Sequence, residues 1–538
     1  MKRSVFKKAT CLLMAVLMFA CMAAGCGNAV AGGGTEANEA SGETAGEAAE
    51  GRGGDLLSFT YLRPVWQPAT FVSGGAYEQA LFDYANIEVD VQIIPVMEYD
   101  AKVKTVVAGG TLPDVMWASG PADPFWRDLE NQGAFTSIDE LLESHPNVKN
   151  NVSETVWNQM RNPDDGKIYF LPRSIASDVP FFTFYRKDWF DAQNIPEPTT
   201  IDELNAALET IKNAYPEAVP MTVGMGGFEW MFKDLGTSFG ATVGGWVASA
   251  DDPDTIIPAF LTEEQENYFF WLQDMRRDGL LDPEVGINPD VNHGKQKFMA
   301  GTAAAYPGGY PDFIEISAAL AKTDPTAEVA IMAPLTGPTG VQGGTRTSYP
   351  VDRGMYFSSA SDVTAEFFDF LEWWLTDATD FRRYGVEGEM YNVVEGKKVA
   401  IPEADRKDDY KTTQIEPLSF FGRIEEELDF EGTWKPAFVA NGLEEKFEYW
   451  YDSFMAYCEN RFPDYLSPTV LSPTSAEIGA QIWESTLSTA YGAVLLNVNG
   501  TREQYQEQAD AWLSQGGQDI INEINAAQAD KSKPTYGE

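Results

Sequence analysis

Residues 87–96, Ile-Glu-Val-Asp-Val-Gln-Ile-Ile-Pro-Val, decide how the chain is read. Val89, Val91 and Ile93 alternate with Glu88, Asp90 and Gln92, the period of a strand with one buried and one wet face. Upstream, Leu56 to Leu62 begins the ordered chain as an apolar strand, and Ala76 to Tyr84 between the two has helical spacing. Downstream, Tyr99 to Ala108 repeats the helical pattern and stops at Gly109-Gly110. Pro113-Asp114-Val115-Met116-Trp117 is a third short apolar run, ending in the loop Ala118-Ser119-Gly120-Pro121. Strand, helix, strand, helix, strand predicts an α/β sheet, and in open α/β sheets ligands sit at the carboxyl ends of the strands.

The chain of 538 residues is too long for one core, because cores stop growing near ~250 to 300 residues. Asp and Glu number 82 against 38 Lys and Arg, a net charge of −44, so nucleic acid is excluded as a partner that would need a basic surface. With 44% hydrophobic and 13% aromatic residues the chain buries large cores. Only His145 and His293 are histidines, and no HExxH or CxxC spacing occurs, which leaves zinc and most His-dependent catalysis without material. Cys458 stands alone in an aromatic-rich helical stretch and reads as a small hydrophobe rather than a reactive thiol.

Capping boxes are expected at Ser137 with Glu140, Thr200 with Glu203 and Thr474 with Glu477. After the second, Ile201, Leu204, Ala207, Leu208 and Ile211 form an apolar stripe at helical spacing, which reads as core. Helices are expected at the C-terminus through Ile478, Ile482, Leu487 and Tyr491, through Tyr505, Ala509, Trp512 and Leu513, and through Ile520, Ile521 and Ile524 after Gly516-Gly517.

At the N-terminus, Lys2, Arg3, Lys7 and Lys8 precede an apolar run from Ala9 to about Ala24 that ends in small residues, the order of a secretory signal over residues 1–25. Ala23-Ala24-Gly25-Cys26 resembles a bacterial lipobox, in which the cysteine becomes the lipid-modified first residue. It departs from that pattern at Ala23, where Leu or a similar residue is usual, so cleavage after Ala29-Val30-Ala31 stays open. Gly27 to Asp55 is rich in Gly, Ala, Glu, Ser and Thr, has no aromatic residue, and reads as an acidic spacer giving an anchor at Cys26 its slack.

Asp188-Trp189-Phe190-Asp191, followed by Ile195-Pro196-Glu197-Pro198-Thr199-Thr200-Ile201-Asp202-Glu203-Leu204, resembles the family 1 extracellular solute-binding proteins of ABC importers, in particular the larger lipoproteins of oligosaccharide uptake. Four further stretches resemble that family in chain order: Ala108 to Val115, Asp165 to Arg173, Phe298 to Ala304, and Tyr384 to Tyr391. The resemblance spans residues 56–527. It implies an α/β, two-lobed clamp of the type II periplasmic-binding-protein fold with a helical C-terminal extension. Lobe one would take about 56–175 and 335–395, lobe two about 180–330 and 400–538. Some relatives carry a calcium loop after the Asp-Glu-Leu helix. Asn213 to Ala218 stands there instead, with too few oxygen ligands, so neither a structural calcium nor another cofactor is expected.

A sugar cleft needs aromatic platforms bordered by carboxylates, amides and Arg. Trp66, Trp117, Trp230, Trp246 and Tyr310 lie beside Gly, Pro or Ser rather than on apolar stripes, and Phe228 and Tyr391 belong to the same kind of loop. By resemblance, Trp117 and Tyr310 fall near elements where maltodextrin-type binders place stacking aromatics. Arg173 and Arg353 either offer planar forks to ligand oxygens or pair with a carboxylate of their own lobe. Trp271, Trp373, Trp374, Trp483 and Trp512 recur at helical spacing and are assigned to the core. The expected protein is a monomeric, non-enzymatic receptor, lipid-anchored on the extracellular face, that binds an oligosaccharide and delivers it to ABC permease subunits. A peptide receptor on the same fold and a secreted glycoside hydrolase or lyase are the alternatives, since 82 acids always supply a candidate carboxyl pair.

Overall fold

The alternation at residues 56–117 folds as a parallel ladder in the computed structural model, which describes residues 51–65, 71–121, 123–174, 179–223, 233–241, 245–284, 292–347, 351–394, 396–423, 426, 428–463, 472–482 and 499–529. Leu57–Val65 pairs in parallel with Ile87–Pro95 on one side and Val115–Ala118 on the other. Ile87 and Val89 are buried while Glu88 and Asp90 face water, as the period requires. The helix Ala76–Ala85 ends at Asn86, left-handed with φ 48°, and Tyr99–Ala108 ends at Gly109 and Gly110, the latter with φ 77°. The full strand order is Ile87–Pro95, Leu57–Val65, Val115–Ala118, Val351–Phe357, Phe170–Ser174. Val351–Phe357, from much later in the chain, enters antiparallel to both of its neighbours.

A second sheet has the order Val329–Ile331, Phe181–Arg186, Ala303–Gly309, Val219–Met221. Successive side chains of Phe181–Arg186 point to opposite faces, so Phe182 and Phe184 enter one core while Tyr185 enters another. The stripe Ile201, Leu204, Ala207, Leu208 and Ile211 is buried in the Tyr185 core, each large member contributing about 1.5–3 kcal/mol. Tyr505, Trp512, Ile520, Ile521 and Ile524 of the helices Arg502–Trp512 and Gln518–Ala529 join the same core, with a break between them at Gly516, φ 127°. Leu487, Tyr491 and Trp483 lie outside the described residues. Cys458 packs partly buried against the Phe182 core.

The capping expectations divide. Thr200 Oγ1 accepts the Glu203 N–H at 3.1 Å, but the Glu203 carboxylate reaches Thr199 rather than Thr200. Ser137, one residue before the N-cap Ile138, donates to Asp139, the first residue of the helix, and the Thr474 N–H and hydroxyl are taken by Glu523. A reciprocal capping box forms instead at Thr501 and Gln504.

Among the described residues the chain passes three times between the first core and the two beside the second sheet: from Leu171 to Phe182, from Leu335 to Met355, and from Phe421 to Phe438. The third passage comes later than the return near residue 400 read from the sequence. Tyr410, Leu418, Phe420 and Phe421 are still in the first core, because Phe420 stacks on Tyr61 and stands edge-on to Phe370. Among the described residues no helix is long and apolar enough to cross a membrane.

Candidate functional site

The first sheet brings Arg63 and Trp117 towards the carboxyl ends of adjacent parallel strands, with Tyr61 in the middle of the Leu57–Val65 strand, two residues before Arg63. Leu62 pairs with Met116, so Arg63 and Trp117 are level, one residue further along. The Arg63 guanidinium lies 5.2 Å from the Trp117 ring centre and 5.8 Å from that of Tyr61. It donates from Nη1 to Ser419 O at 2.9 Å and Ser419 Oγ at 3.0 Å, and from Nε to Pro64 O at 3.2 Å. The strap Ser419–Phe421 also closes over the aromatics, with Phe420 stacked on Tyr61 at 5.9 Å and Phe421 edge-on to Trp117 at 5.4 Å. Trp117 is consequently only 4% exposed and Arg63 2%. Burial pushes the Tyr61 hydroxyl up to about 12, opposed by the charges of Arg63 and Arg173. Among the described residues neither the Tyr61 hydroxyl nor the Trp117 indole N–H has a hydrogen-bond partner.

Asp114, just before the Trp117 strand, ties it to its neighbour. Thr60 donates to Asp114 Oδ2 from its N–H at 2.8 Å and its hydroxyl at 2.7 Å. Burial alone would raise this carboxyl; the Thr60 donors, helped by Ser361, hold it below the ordinary value. Arg173 and Arg353 sit at the same edge. Gly354 pairs with Pro172 and with Ala118, and Val351 with Ser174, so Arg353 and Arg173 fall in the short stretch where the ladder shifts register as the chain leaves the sheet. Only glycine serves at 354, since a Cβ would lie 2.3 Å from Leu171 O and 2.3 Å from the Phe170 ring.

The second sheet presents a different surface to the first passage. Tyr310 follows Ala303–Gly309 and donates its N–H to Pro180 O at 3.3 Å, at the end of that passage. Its ring meets Trp434 at 5.2 Å and Phe454 at 5.3 Å, and Trp450 Nε1 donates to Tyr310 O at 2.9 Å. Phe430 and Trp434 come from a π-helical turn, Phe430–Trp434, opened by Asp429, whose Oδ1 accepts the Gly432 N–H at 2.8 Å. Tyr310, Phe430 and Trp434 are partly buried, over a fully buried Trp450. Sequence reasoning missed Phe430, Trp434 and Trp450. The crowding of aromatics after residue 430 was the available signal, and helical spacing disguised it as core.

Other candidates fall elsewhere. Trp246 is buried in the Tyr185 core on the short hairpin Trp246–Ala248 and Ile256–Pro258. Tyr391 starts the hairpin Tyr391–Val394 with Lys397–Ala400, its ring 5.7 Å from Tyr384 and 5.4 Å from Lys398 Nζ. Trp66, Phe228, Trp230 and Cys26 lie outside the described residues. At 213–218, Tyr215 stacks on Trp189 at 4.3 Å, with the Arg186 guanidinium 4.5 Å from the Trp189 ring. Asp282, Glu284 and His293 bring ligand atoms within 4.8 Å of one another, but Lys297 Nζ binds Asp282 at 2.8 Å and Glu284 at 2.7 Å, so an ammonium already fills the position a metal would take.

A sequence model of the family described as bacterial extracellular solute-binding protein matches residues 68–380, more than half of the chain. The polygalacturonan/rhamnogalacturonan-binding protein YtcQ of Bacillus subtilis (strain 168) is 22% identical over 464 residues, 82% of this chain and 86% of that protein. The solved structure of the alginate-binding protein AlgQ2 without calcium ion matches with a TM-score of 0.69 at 16% identity, over 89% of this chain and 99% of that one. An EF-hand mutant of the S. pneumoniae ABC-transporter substrate-binding protein FusA, in complex with fructo-nystose, matches with a TM-score of 0.67 at 16% identity, over 88% and 100%. Identities this low speak for the fold alone, and the fold is the two-lobed α/β architecture of substrate-binding proteins.

Proposed function

Because this chain belongs to the family of bacterial extracellular solute-binding proteins, we propose that it captures an oligosaccharide between its two sheets and hands it to the permease subunits of an ABC importer. The observation that carries this reading is the meeting, at either end of the passage from Leu171 to Phe182, of a donor-rich edge at Arg173 and an aromatic set at Tyr310. Sugars have polar edges and apolar faces, and a ligand held between such walls satisfies both. The relatives' own names, for polygalacturonan, alginate and fructo-nystose, support a saccharide. Lobe one then comprises about 56–174 and 351–421, and lobe two about 181–335 and 430–529, with three passages as the hinge. A ligand touching both lobes favours the closed arrangement by its differential affinity.

Anchoring on Cys26, with residues 27–55 as spacer, places the receptor on the extracellular face of the membrane. Cys26→Ser releases the protein into the medium with its ligand affinity unchanged, and an intact mass beginning at Gly32 without acyl groups would rule the anchor out. The function itself is tested by titration calorimetry against defined oligosaccharides and peptides, with chromatography of the recovered ligand. A saccharide binds and returns chemically unchanged; binding of peptides only, or a cleaved product, overturns the reading.

A further inference from the structure

The second wall is fixed in place from the first lobe. Its rings Phe430 and Trp434 stand on the π-helical turn Phe430–Trp434, a rare geometry whose leading N–H groups need acceptors. Asp429 supplies them. Its main-chain oxygen accepts the Thr433 N–H at 2.9 Å and the Trp434 N–H at 3.3 Å, and its Oδ1 accepts the Gly432 N–H at 2.8 Å. The other carboxylate oxygen, Oδ2, takes Arg383 Nη2 at 2.9 Å. Arg383 belongs to the helix Thr379–Tyr384, whose Phe381 stacks on Tyr84 at 4.5 Å and packs against the first core. The neighbouring Arg382 binds Glu426, Nη2 to Oε1 at 2.5 Å, so successive arginines of lobe one hold the third passage on both sides of Leu428. Phe430, the next residue after Asp429, already packs against the core of Phe182 and Phe184. The approach is close enough to require glycine at 432, where a Cβ would lie 2.3 Å from Asp429 Oδ2 and 3.0 Å from Arg383 Nη1.

The Arg383–Asp429 pair is partly exposed, and pairs of that kind contribute little to folding stability. What it fixes is a geometry. An aromatic side chain that must be ordered as ligand binds loses affinity to that ordering, and one held beforehand does not. We propose that Asp429 is the positioning residue of the aromatic wall: held by Arg383 of lobe one, it presets the turn on which Phe430 and Trp434 of lobe two meet the ligand. The inference rests on the oligosaccharide reading and goes further, to what sets the platform. Asp429 and Arg383 act through Phe430 and Trp434 and do not touch the ligand themselves. Because the grip comes from the opposite lobe, the platform is complete only while the root of the turn stays tied to the first lobe.

The test is titration calorimetry on the full chain with trigalacturonate, trimannuronate, nystose and maltotriose, continued with the saccharide that the wild-type protein binds most tightly. Asp429→Ala weakens its binding about tenfold. Arg383→Gln and Asp429→Asn remove the ion pair and leave an oxygen for the Gly432 N–H; each weakens binding about threefold, and the two together do no more than either alone. Combined with Trp434→Ala, Asp429→Ala adds less than about twofold, whereas a residue with a merely structural role would add its whole effect. If Asp429→Ala does not fold, Arg383→Gln and Asp429→Asn, at partly exposed positions, carry the test. Wild-type affinity in both of those variants, or losses that add fully to that of Trp434→Ala, overturns the positioning role and leaves the oligosaccharide reading standing. Binding of none of the four saccharides by the wild-type protein overturns both.

Discussion

The two walls that flank the first passage use aromatic rings for opposite purposes. On the first sheet, Trp117 and Tyr61 are sealed between Arg63 and the strap Ser419–Phe421, so their rings support a cation and offer no face to a ligand. On the second, Tyr310, Phe430 and Trp434 keep part of their surface open over a fully buried Trp450. An aromatic beside Gly, Pro or Ser can therefore be either support or platform. What decides is whether a distant segment comes back to cover it.

The largest effect that would sharpen this contrast is on stability. Trp117→Ala empties a sealed position and costs about 3–5 kcal/mol in folding free energy, seen as a lower midpoint in chemical denaturation. A loss below about 1 kcal/mol, with weakened ligand binding instead, would make Trp117 a platform after all. Next in size, Tyr310→Ala weakens saccharide binding by about 1–3 kcal/mol and costs less stability than Trp117→Ala. Wild-type affinity in both Tyr310→Ala and Trp434→Ala would move the site away from the second wall.

The smallest effect separates the walls by pH. Asp114, on the first, has a carboxyl held below its ordinary value: burial works against this, and the Thr60 and Ser361 hydrogen bonds prevail. Its stabilisation is present above the unfolded value of about 3.9 and is lost as pH falls through the lower folded value. Asp312, beside Tyr310 on the second wall, is raised by burial, with Lys295 opposing. Its contribution is complete below about 3.9 and is lost as pH rises through its raised folded value. Asp114→Asn accordingly flattens the acid loss of the thermal midpoint, and Asp312→Asn steepens it. Identical pH profiles for the two variants would erase the electrostatic difference between the walls.

The legible parts of the molecule were the local ones. Alternation at Val89, Val91 and Ile93, the Gly109-Gly110 stop and the stripe from Ile201 to Ile211 are governed by neighbours in sequence, and each forms where it was expected. Val351–Phe357 carries nothing that says it enters between Val115–Ala118 and Phe170–Ser174, because pairing partners are chosen by the tertiary fold. The burial of Trp117 was equally hidden. Arg63 and Ser419 are 356 residues apart in the chain, and no window on the sequence contains both. Of the proposed ligand residues, Arg173, Arg353 and Tyr310 come to the passages, Trp117 comes to the same edge but underneath, and Trp246 goes to the core.

The placing of Val351–Phe357 in the interior of the first sheet bears on how the chain is made. Its strand joins Val115–Ala118 to Phe170–Ser174, and it is synthesised only after all four strands of the second sheet. The N-terminal portion thus emerges as an unfinished sheet with an open slot. Such non-local pairings are slow, since loop closure must come before any reward from contact. That delay leaves the first lobe open until Val351–Phe357 is in place, and the strap at Ser419–Phe421, later still in the chain, can close over Tyr61 and Trp117 only afterwards.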